Sequence, residues 1–112
     1  MRLLIADDSP QMRRLLHALF GGIAEDIVEC ATGYDAVRCY FDIRPDWVLM
    51  DVRMDGLDGI GATREIVQRD PTAKIIVLSQ YDDDEIREAA VQAGAVAYVH
   101  KENLLAIRKL LV

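Results

Sequence analysis

The stretch Trp47-Val48-Leu49-Met50-Asp51 places a run of apolar residues directly before a carboxylate. Short runs of the same kind, mostly rich in Ile, Val and Leu, occur at residues 3–6, 27–31, 74–78 and 95–99. Runs that are apolar on both faces favour strands covered on both sides, as in a parallel sheet. The sequence therefore predicts five buried strands.

Amphipathic segments separate these runs. Apolar residues at positions 12, 15, 16 and 19 form one helical face, and Ser9-Pro10 before them is a typical N-cap and first-turn proline. Further helices are predicted to begin at Thr32, at Asp58, at Asp82 or Asp83, and at Leu104. Five strand–helix units with right-handed crossovers predict an α/β doubly wound sandwich.

Length and charge limit the class of protein. The 112 residues fit one domain, which we assign to 1–112. The net charge of −6 argues against direct nucleic-acid binding, because an acidic chain is repelled by phosphate backbones.

Cysteine usage and hydropathy bear on the compartment. Cys30 and Cys39 are interpreted as reduced packing residues, because a chain of this size does not need a disulfide to hold its core. No run approaches the roughly 20 apolar residues of a membrane span, and the N-terminus does not have the pattern of a signal peptide. We expect a cytoplasmic protein with no membrane partner.

Polar side chains follow four of the five predicted strands. Asp7-Asp8 follows the first strand, Asp51 the third, Ser79 the fourth and Lys101 the fifth. Ligand chemistry in such sheets occurs at the carboxyl ends of the strands, so these groups are expected to converge there.

The chemistry of this set points to phosphate. Three carboxylates with oxygen ligands only suit Mg²⁺ or Mn²⁺, with waters and a phosphate completing the shell. A lysine and a serine hydroxyl can bind phosphate oxygens. A carboxylate beside such a cation can attack phosphorus and form an aspartyl-phosphate.

The set resembles the response-regulator receiver domain of two-component systems over essentially the whole chain. The resemblance rests on Asp7-Asp8, Asp51, Met54, Asp58-Gly59, Ser79, Tyr98 and Lys101. The spacings are 43 residues from Asp8 to Asp51, 28 from Asp51 to Ser79 and 22 from Ser79 to Lys101. The resemblance implies a flavodoxin-like (βα)5 fold with a five-stranded parallel sheet of order 2-1-3-4-5.

The resemblance also implies a role for each acidic residue. Asp51 would be the phosphoacceptor, taking the phosphoryl group from a sensor histidine kinase or a phosphotransfer protein. Asp8 and Asp51 would ligate Mg²⁺ or Mn²⁺ directly, and Asp7 partly through water. Arg53 would offer its backbone carbonyl to the metal.

The remaining roles concern phosphate binding and switching. Lys101 would pair with the phosphate, Ser79 would move towards it, and Tyr98 would turn inward. Partners are expected to dock near the first helix, where Arg13 and Arg14 are otherwise interpreted as a solvated face. A homodimer would form through the face of the fourth helix, fifth strand and fifth helix.

Three positions depart from the family pattern. Asp55 and Glu102 stand where prolines are common, and Arg53 places a basic side chain beside the phosphate site. A cis bond before a non-proline residue costs about 2.5–4 kcal/mol, so Lys101-Glu102 is predicted to be trans. Arg53 is predicted to alter the phosphoryl lifetime, in a direction that the sequence leaves open.

Other functions compete with a phosphoacceptor switch. The same fold could serve as a pseudo-receiver, an interaction module without phosphorylation. A haloacid-type phosphatase would need a second Asp at the position of Arg53, and a flavin site would need a Gly/Ser/Thr loop instead of Asp7-Asp8. We expect no enzyme activity beyond slow autodephosphorylation. The kinase, the stimulus and the output stay open, as does whether the chain stands alone or precedes a DNA-binding output domain.

Overall fold

The computed structural model describes residues 1–112, in which five strands alternate with five helices. The strands are β1 Arg2–Ala6, β2 Asp26–Cys30, β3 Trp47–Asp51, β4 Ile75–Ser79 and β5 Ala97–His100. The helices are α1 Pro10–Phe20, α2 Gly33–Ile43, α3 Gly59–Arg69, α4 Asp84–Ala93 and α5 Leu105–Leu111. A short 3₁₀ turn, Lys101–Asn103, joins β5 to α5.

All strand pairs are parallel, and the sheet order is β2-β1-β3-β4-β5. This confirms the predicted flavodoxin-like sandwich. In the register of the sheet, Ala6 lies opposite Met50, and Asp51 lies opposite Leu78. The carboxyl ends of β1, β3 and β4 are therefore neighbours along one edge.

Alternating strand residues supply two apolar cores, one on each face of the sheet. Leu16 and Phe20 of α1 pack with Ile107 of α5 on one face. The other core contains buried residues of α2, α3 and α4, among them Tyr40 and Ile66. Covering both faces explains why the strands read as continuous apolar runs and not as alternating ones.

The helix caps follow the predicted residues. Ser9, Thr32, Asp58 and Asp83 each accept a hydrogen bond from a backbone N–H of the first turn. The fifth helix begins at Leu105, one residue later than predicted, because the 3₁₀ turn occupies the chain before it. These caps satisfy N–H groups that a helix cannot pair internally.

The peptide bonds contain no cis bond, so the prediction of a trans Lys101-Glu102 bond is confirmed. His100 accepts a hydrogen bond from the Glu102 N–H at its Nδ1. Cys30 and Cys39 are both free thiols, as predicted. None of the helices combines the length and the apolar character that crossing a bilayer requires.

Candidate functional site

Residues at the ends of β1, β3, β4 and β5, or directly after them, line one pocket of about 230 Å³ at the carboxyl edge of the sheet. The lining includes every side chain assigned to the site from the sequence except Tyr98: Asp7, Asp8, Asp51, Arg53, Ser79 and Lys101. Residues separated by up to 94 positions thus meet because their strands end side by side.

Lys101 lies between two of the carboxylates. Its Nζ is 2.9 Å from Asp7 Oδ2 and 2.9 Å from Asp51 Oδ1. The side chains of all three residues are less than a tenth exposed. A single ammonium therefore compensates two buried negative charges.

Burial and charge shift the pKa values in this group. Burial raises the pKa of Asp51 above its usual range, and the hydrogen bond from Lys101 only partly opposes this because Asp7 and Asp8 repel a further negative charge. Burial alone would lower the pKa of Lys101, but hydrogen bonds to Asp7 and Asp51 raise it. The protonated form of Lys101 is thus favoured, whereas burial disfavours the ionised form of Asp51.

The donor set fits a hard divalent cation. Ligand oxygens of Asp7, Asp8 and Asp51 all lie within 4.8 Å of one another. Asp8 is exposed and makes no hydrogen bond or ion pair, and Asp51 Oδ2 accepts no hydrogen bond from the protein. Both oxygens of Asp7 already accept bonds, from Ser9 N–H at 2.9 Å and from Lys101. Asp8 and Asp51 therefore have the most free ligand capacity for Mg²⁺ or Mn²⁺.

Gly59 explains the Asp58-Gly59 pair in the sequence. A Cβ at position 59 would lie 1.8 Å from the carbonyl oxygen of Asp51, so only glycine allows α3 to begin against the end of β3. The Gly59 N–H also donates to the Val52 carbonyl oxygen. This close approach fixes the backbone that carries the Asp51 side chain.

Ser79 and Tyr98 are joined through the backbone of one intervening residue, Tyr81. The Ser79 hydroxyl accepts a hydrogen bond from Tyr81 N–H at 3.0 Å, and the Tyr98 hydroxyl donates to the Tyr81 carbonyl oxygen at 2.6 Å. Ser79 and Tyr98 are both buried. Tyr98 therefore lies outside the pocket lining but contacts the loop that follows Ser79.

Arg53 is exposed at the pocket, and its guanidinium carbon lies 4.9 Å from the centre of the Tyr81 ring. The two side chains come from different loops, after β3 and after β4. Sequence reasoning missed Tyr81, although its position two residues after Ser79 was a signal that it follows the strand into the pocket.

The interpretation of Arg13 and Arg14 as a solvated face is wrong for Arg13. Its side chain is only 20% exposed, and Nη1 donates to the Asp7 carbonyl oxygen at 2.6 Å. Arg14, the next residue, is exposed and has no partner. The helical pattern could not separate the two, because the contact depends on where β1 ends against α1.

A model of the response regulator receiver domain matches residues 3–111. The chain belongs to this family. The receiver domain is 41% identical over 104 residues to an uncharacterized transcriptional regulatory protein, YhcZ, of Bacillus subtilis. The matched region covers 91% of this chain and 49% of YhcZ. It is 37% identical over 101 residues to the chemotaxis protein CheY of Thermotoga maritima, covering 89% of this chain and 84% of CheY.

Solved structures give the same result. A two-component response regulator of the LuxR family from Aurantimonas matches 98% of this receiver domain and 84% of that chain, with a TM-score of 0.88 and 33% identity. A DNA-binding response regulator of the LuxR family from Staphylococcus aureus matches 99% of this receiver domain and 98% of that chain, with a TM-score of 0.83 and 26% identity. The receiver domain spans about half the length of YhcZ but most of the length of CheY.

Proposed function

We propose that this receiver domain is a phosphoacceptor switch that takes a phosphoryl group onto Asp51 from a sensor histidine kinase or a phosphotransfer protein. The observation that carries the proposal is the asymmetric setting of the Asp51 carboxylate. One oxygen pairs with Lys101 at 2.9 Å, and the other accepts no protein hydrogen bond at a pocket shared with Asp8 and Ser79.

The residues of the pocket would divide the work of the transfer. An oxygen of Asp51 forms a bond to phosphorus while the bond from phosphorus to the donor's imidazole nitrogen breaks, and the imidazole leaves with that electron pair. Lys101 stays protonated and moves its interaction towards the new phosphoryl oxygens, which the raised pKa of Lys101 favours. The Ser79 hydroxyl is available to donate to a phosphoryl oxygen, because its acceptor role to Tyr81 leaves its hydrogen free.

Asp7, Asp8 and Asp51, with the backbone carbonyl of Arg53, would hold Mg²⁺ or Mn²⁺. When bound, the cation would neutralise charge on the phosphoryl oxygens. The charge balance of the site supports this assignment, because Lys101 compensates Asp7 and Asp51 but contacts no oxygen of Asp8. Asp8 then has no positive partner in the protein.

The output would pass through the Ser79–Tyr81–Tyr98 connection to the surface of α4, β5 and α5. Exposed apolar side chains lie on or beside this surface, at Val91, Val96, Leu105 and Leu110. They support a switched contact there with a second copy or with an output partner. A C-terminal DNA-binding domain in the full protein is part of this proposal, since YhcZ is about twice as long as the matched region and is named a transcriptional regulator.

The decisive experiment is phosphorylation by acetyl phosphate with Mg²⁺, followed by intact mass and peptide mapping. We expect a mass gain of one phosphoryl group on Asp51, with none for Asp51→Asn. Asp42→Asn is the matched control, because Asp42 is an exposed acid on α2 with no hydrogen bond or ion pair. No mass gain on the unaltered chain would favour the pseudo-receiver alternative.

A second measurement separates the switch from an enzyme. Arg53 stands where a haloacid-type phosphatase needs an acid, so multiple turnover of a generic phosphate ester is not expected. Sustained release of phosphate from such an ester, well beyond one equivalent per chain, would contradict this part of the proposal.

A further inference from the structure

The backbone at Asp7 is held from two sides by groups outside the pocket. The Asp7 N–H donates to the Cys30 carbonyl oxygen of β2 at 3.1 Å, and the Asp7 carbonyl oxygen accepts from Arg13 Nη1 of α1 at 2.6 Å. The peptide unit that joins Asp7 to Asp8 therefore has its oxygen tied to the guanidinium.

Asp8 depends on this backbone for its position. Its side chain is exposed and has no hydrogen bond or ion pair of its own. Because no contact of the Asp8 carboxylate fixes where it lies, the plane of the Asp7–Asp8 peptide largely decides where it projects. The Arg13 contact with the Asp7 carbonyl holds the oxygen of that peptide unit.

Arg13 is in turn oriented by Glu29 of the edge strand β2. The Arg13 Nε is 3.3 Å from Glu29 Oε1, and the two side chains are 20% and 34% exposed. One guanidinium thus uses Nη1 for the Asp7 carbonyl and Nε for the carboxylate, which the single ammonium nitrogen of lysine cannot reproduce in the same geometry.

We propose that Arg13 is a positioning residue for the acidic pair, and that Glu29 orients it and compensates its charge. The inference rests on the proposed function in one respect, namely that Asp7 and Asp8 hold a divalent cation. It goes beyond that function because neither Arg13 nor Glu29 would touch the cation. Both act through the backbone of the turn after β1.

The sign of the effect on metal affinity separates positioning from simple electrostatics. Arg13 is a positive charge close to a cation site, so removing only its charge would tighten metal binding. Removing a group that holds the ligand turn in place would weaken it, and loss of such outer groups at metal sites costs roughly 10- to 100-fold in affinity. Arg13→Gln removes the charge and the two guanidinium contacts together, so the two mechanisms predict opposite changes in metal affinity.

The experiment titrates the unphosphorylated chain with Mn²⁺ and with Mg²⁺ by calorimetry. For Arg13→Gln we expect affinity lower by roughly 10-fold. Arg13→Lys, which keeps the charge, should also bind more weakly than the unaltered chain. Arg14→Gln, which removes a neighbouring exposed charge without a contact, should not bind more weakly. Unchanged or tighter binding by Arg13→Gln would overturn the inference.

A metal-free measurement keeps the inference testable on its own. Amide hydrogen exchange by NMR should be faster at Asp7 and Ser9 in Arg13→Gln, and in the milder variant Glu29→Gln, than in Arg14→Gln. Protection that is equal in all three would contradict the positioning role whatever the metal does. If the unaltered chain binds no Mn²⁺ or Mg²⁺, the metal part of the proposed function fails, and the assignment of Arg13 to a metal-binding pair fails with it.

Discussion

The hydroxyl of Tyr98 donates a hydrogen bond to the carbonyl oxygen of Tyr81, with 2.6 Å between the two oxygens. The contact ties the last strand of the sheet to the loop after β4. The N–H of Tyr81 in turn donates a hydrogen bond to the Ser79 hydroxyl. Tyr98 and Ser79 therefore both contact the backbone of Tyr81.

Tyr98→Phe should lower the free energy of unfolding by about 1 kcal/mol, because it removes this hydrogen bond but keeps the ring. Thermal unfolding followed by circular dichroism measures the change. Tyr34→Phe is the control, since Tyr34 is 64% exposed and its hydroxyl has no partner. Equal stabilities for the two variants would show that the Tyr98 hydroxyl contributes nothing net.

Lys101→Met should be the more damaging change, because it leaves Asp7 and Asp51 buried without their shared positive partner. We expect a loss of about 3 kcal/mol at neutral pH, typical of breaking a buried ion pair from one side. The loss should shrink as the pH falls into the range where Asp51 takes up a proton. Denaturant unfolding at several pH values measures it, with Lys109→Met, on the exposed side of α5, as the control. A loss that does not depend on pH would contradict the explanation.

Asp51→Asn should make the metal-free domain more stable at neutral pH, because it removes a charge that burial disfavours. Burial raises the pKa of Asp51, so the folded state binds a proton more tightly than the unfolded chain does. The stability of the unaltered domain therefore falls as the pH rises through the unfolded-state pKa, about 3.9, to the higher folded-state pKa. Because asparagine has no charge to lose, the advantage of the variant should vanish below that range.

Urea unfolding across this pH range tests whether Asp51→Asn raises or lowers the free energy of unfolding. Asp42→Asn should show no comparable gain, since that carboxylate is exposed. A less stable Asp51→Asn variant at neutral pH would mean that pairing with Lys101 outweighs the burial of Asp51.

Arg53→Ala should shorten the lifetime of the phosphorylated domain. The sequence predicted an effect without a direction. The contact of the Arg53 guanidinium with the Tyr81 ring now suggests one, because both side chains line the pocket and we expect the pair to limit the access of water. An exposed cation–π contact of about 0.5–1 kcal/mol corresponds to a two- to fivefold faster loss of phosphate. Release of phosphate after removal of acetyl phosphate measures the rate.

Tyr81→Leu provides the matched test of this stacking. If the stack covers the pocket, Arg53→Ala should have little further effect in a chain that already carries Tyr81→Leu. A full effect of Arg53→Ala in that background, or an unchanged rate in the single variant, would show that the stack does not control the access of water.

The strands, the helices and the location of the site could be predicted from local patterns, whereas the strand order came from the resemblance to receiver domains. Apolar runs such as residues 47–50 mark buried strands, and caps such as Ser9 and Asp58 mark helix starts, because both depend on residues close in sequence. The predicted strand bounds differ from the observed ones by one or two residues, for example at β5, which begins at Ala97 and not at residue 95. Pairing with the neighbouring strand decides such ends.

The hydrogen-bond partners of the individual residues at the site could not be predicted from the sequence. Arg13 and Arg14 are chemically identical neighbours on one helix, yet only Arg13 reaches the Asp7 carbonyl. No pattern in the sequence assigned a role to Tyr81, yet its backbone joins Ser79 to Tyr98. Such contacts depend on the packing of α1 on β1 and on the path of one loop, which no local pattern encodes.

The order of residues along the chain is enough to predict that carboxylates, a hydroxyl and a lysine come at the ends of buried parallel strands, and hence that they share one edge of a sheet. The position of Lys101 between Asp7 and Asp51, and the lack of a partner for Asp8, became visible in the folded domain alone. The difference comes from the range of the interactions. Apolar periodicity and capping act over a few residues, whereas the charge balance at Asp51 depends on distances between residues up to 94 positions apart.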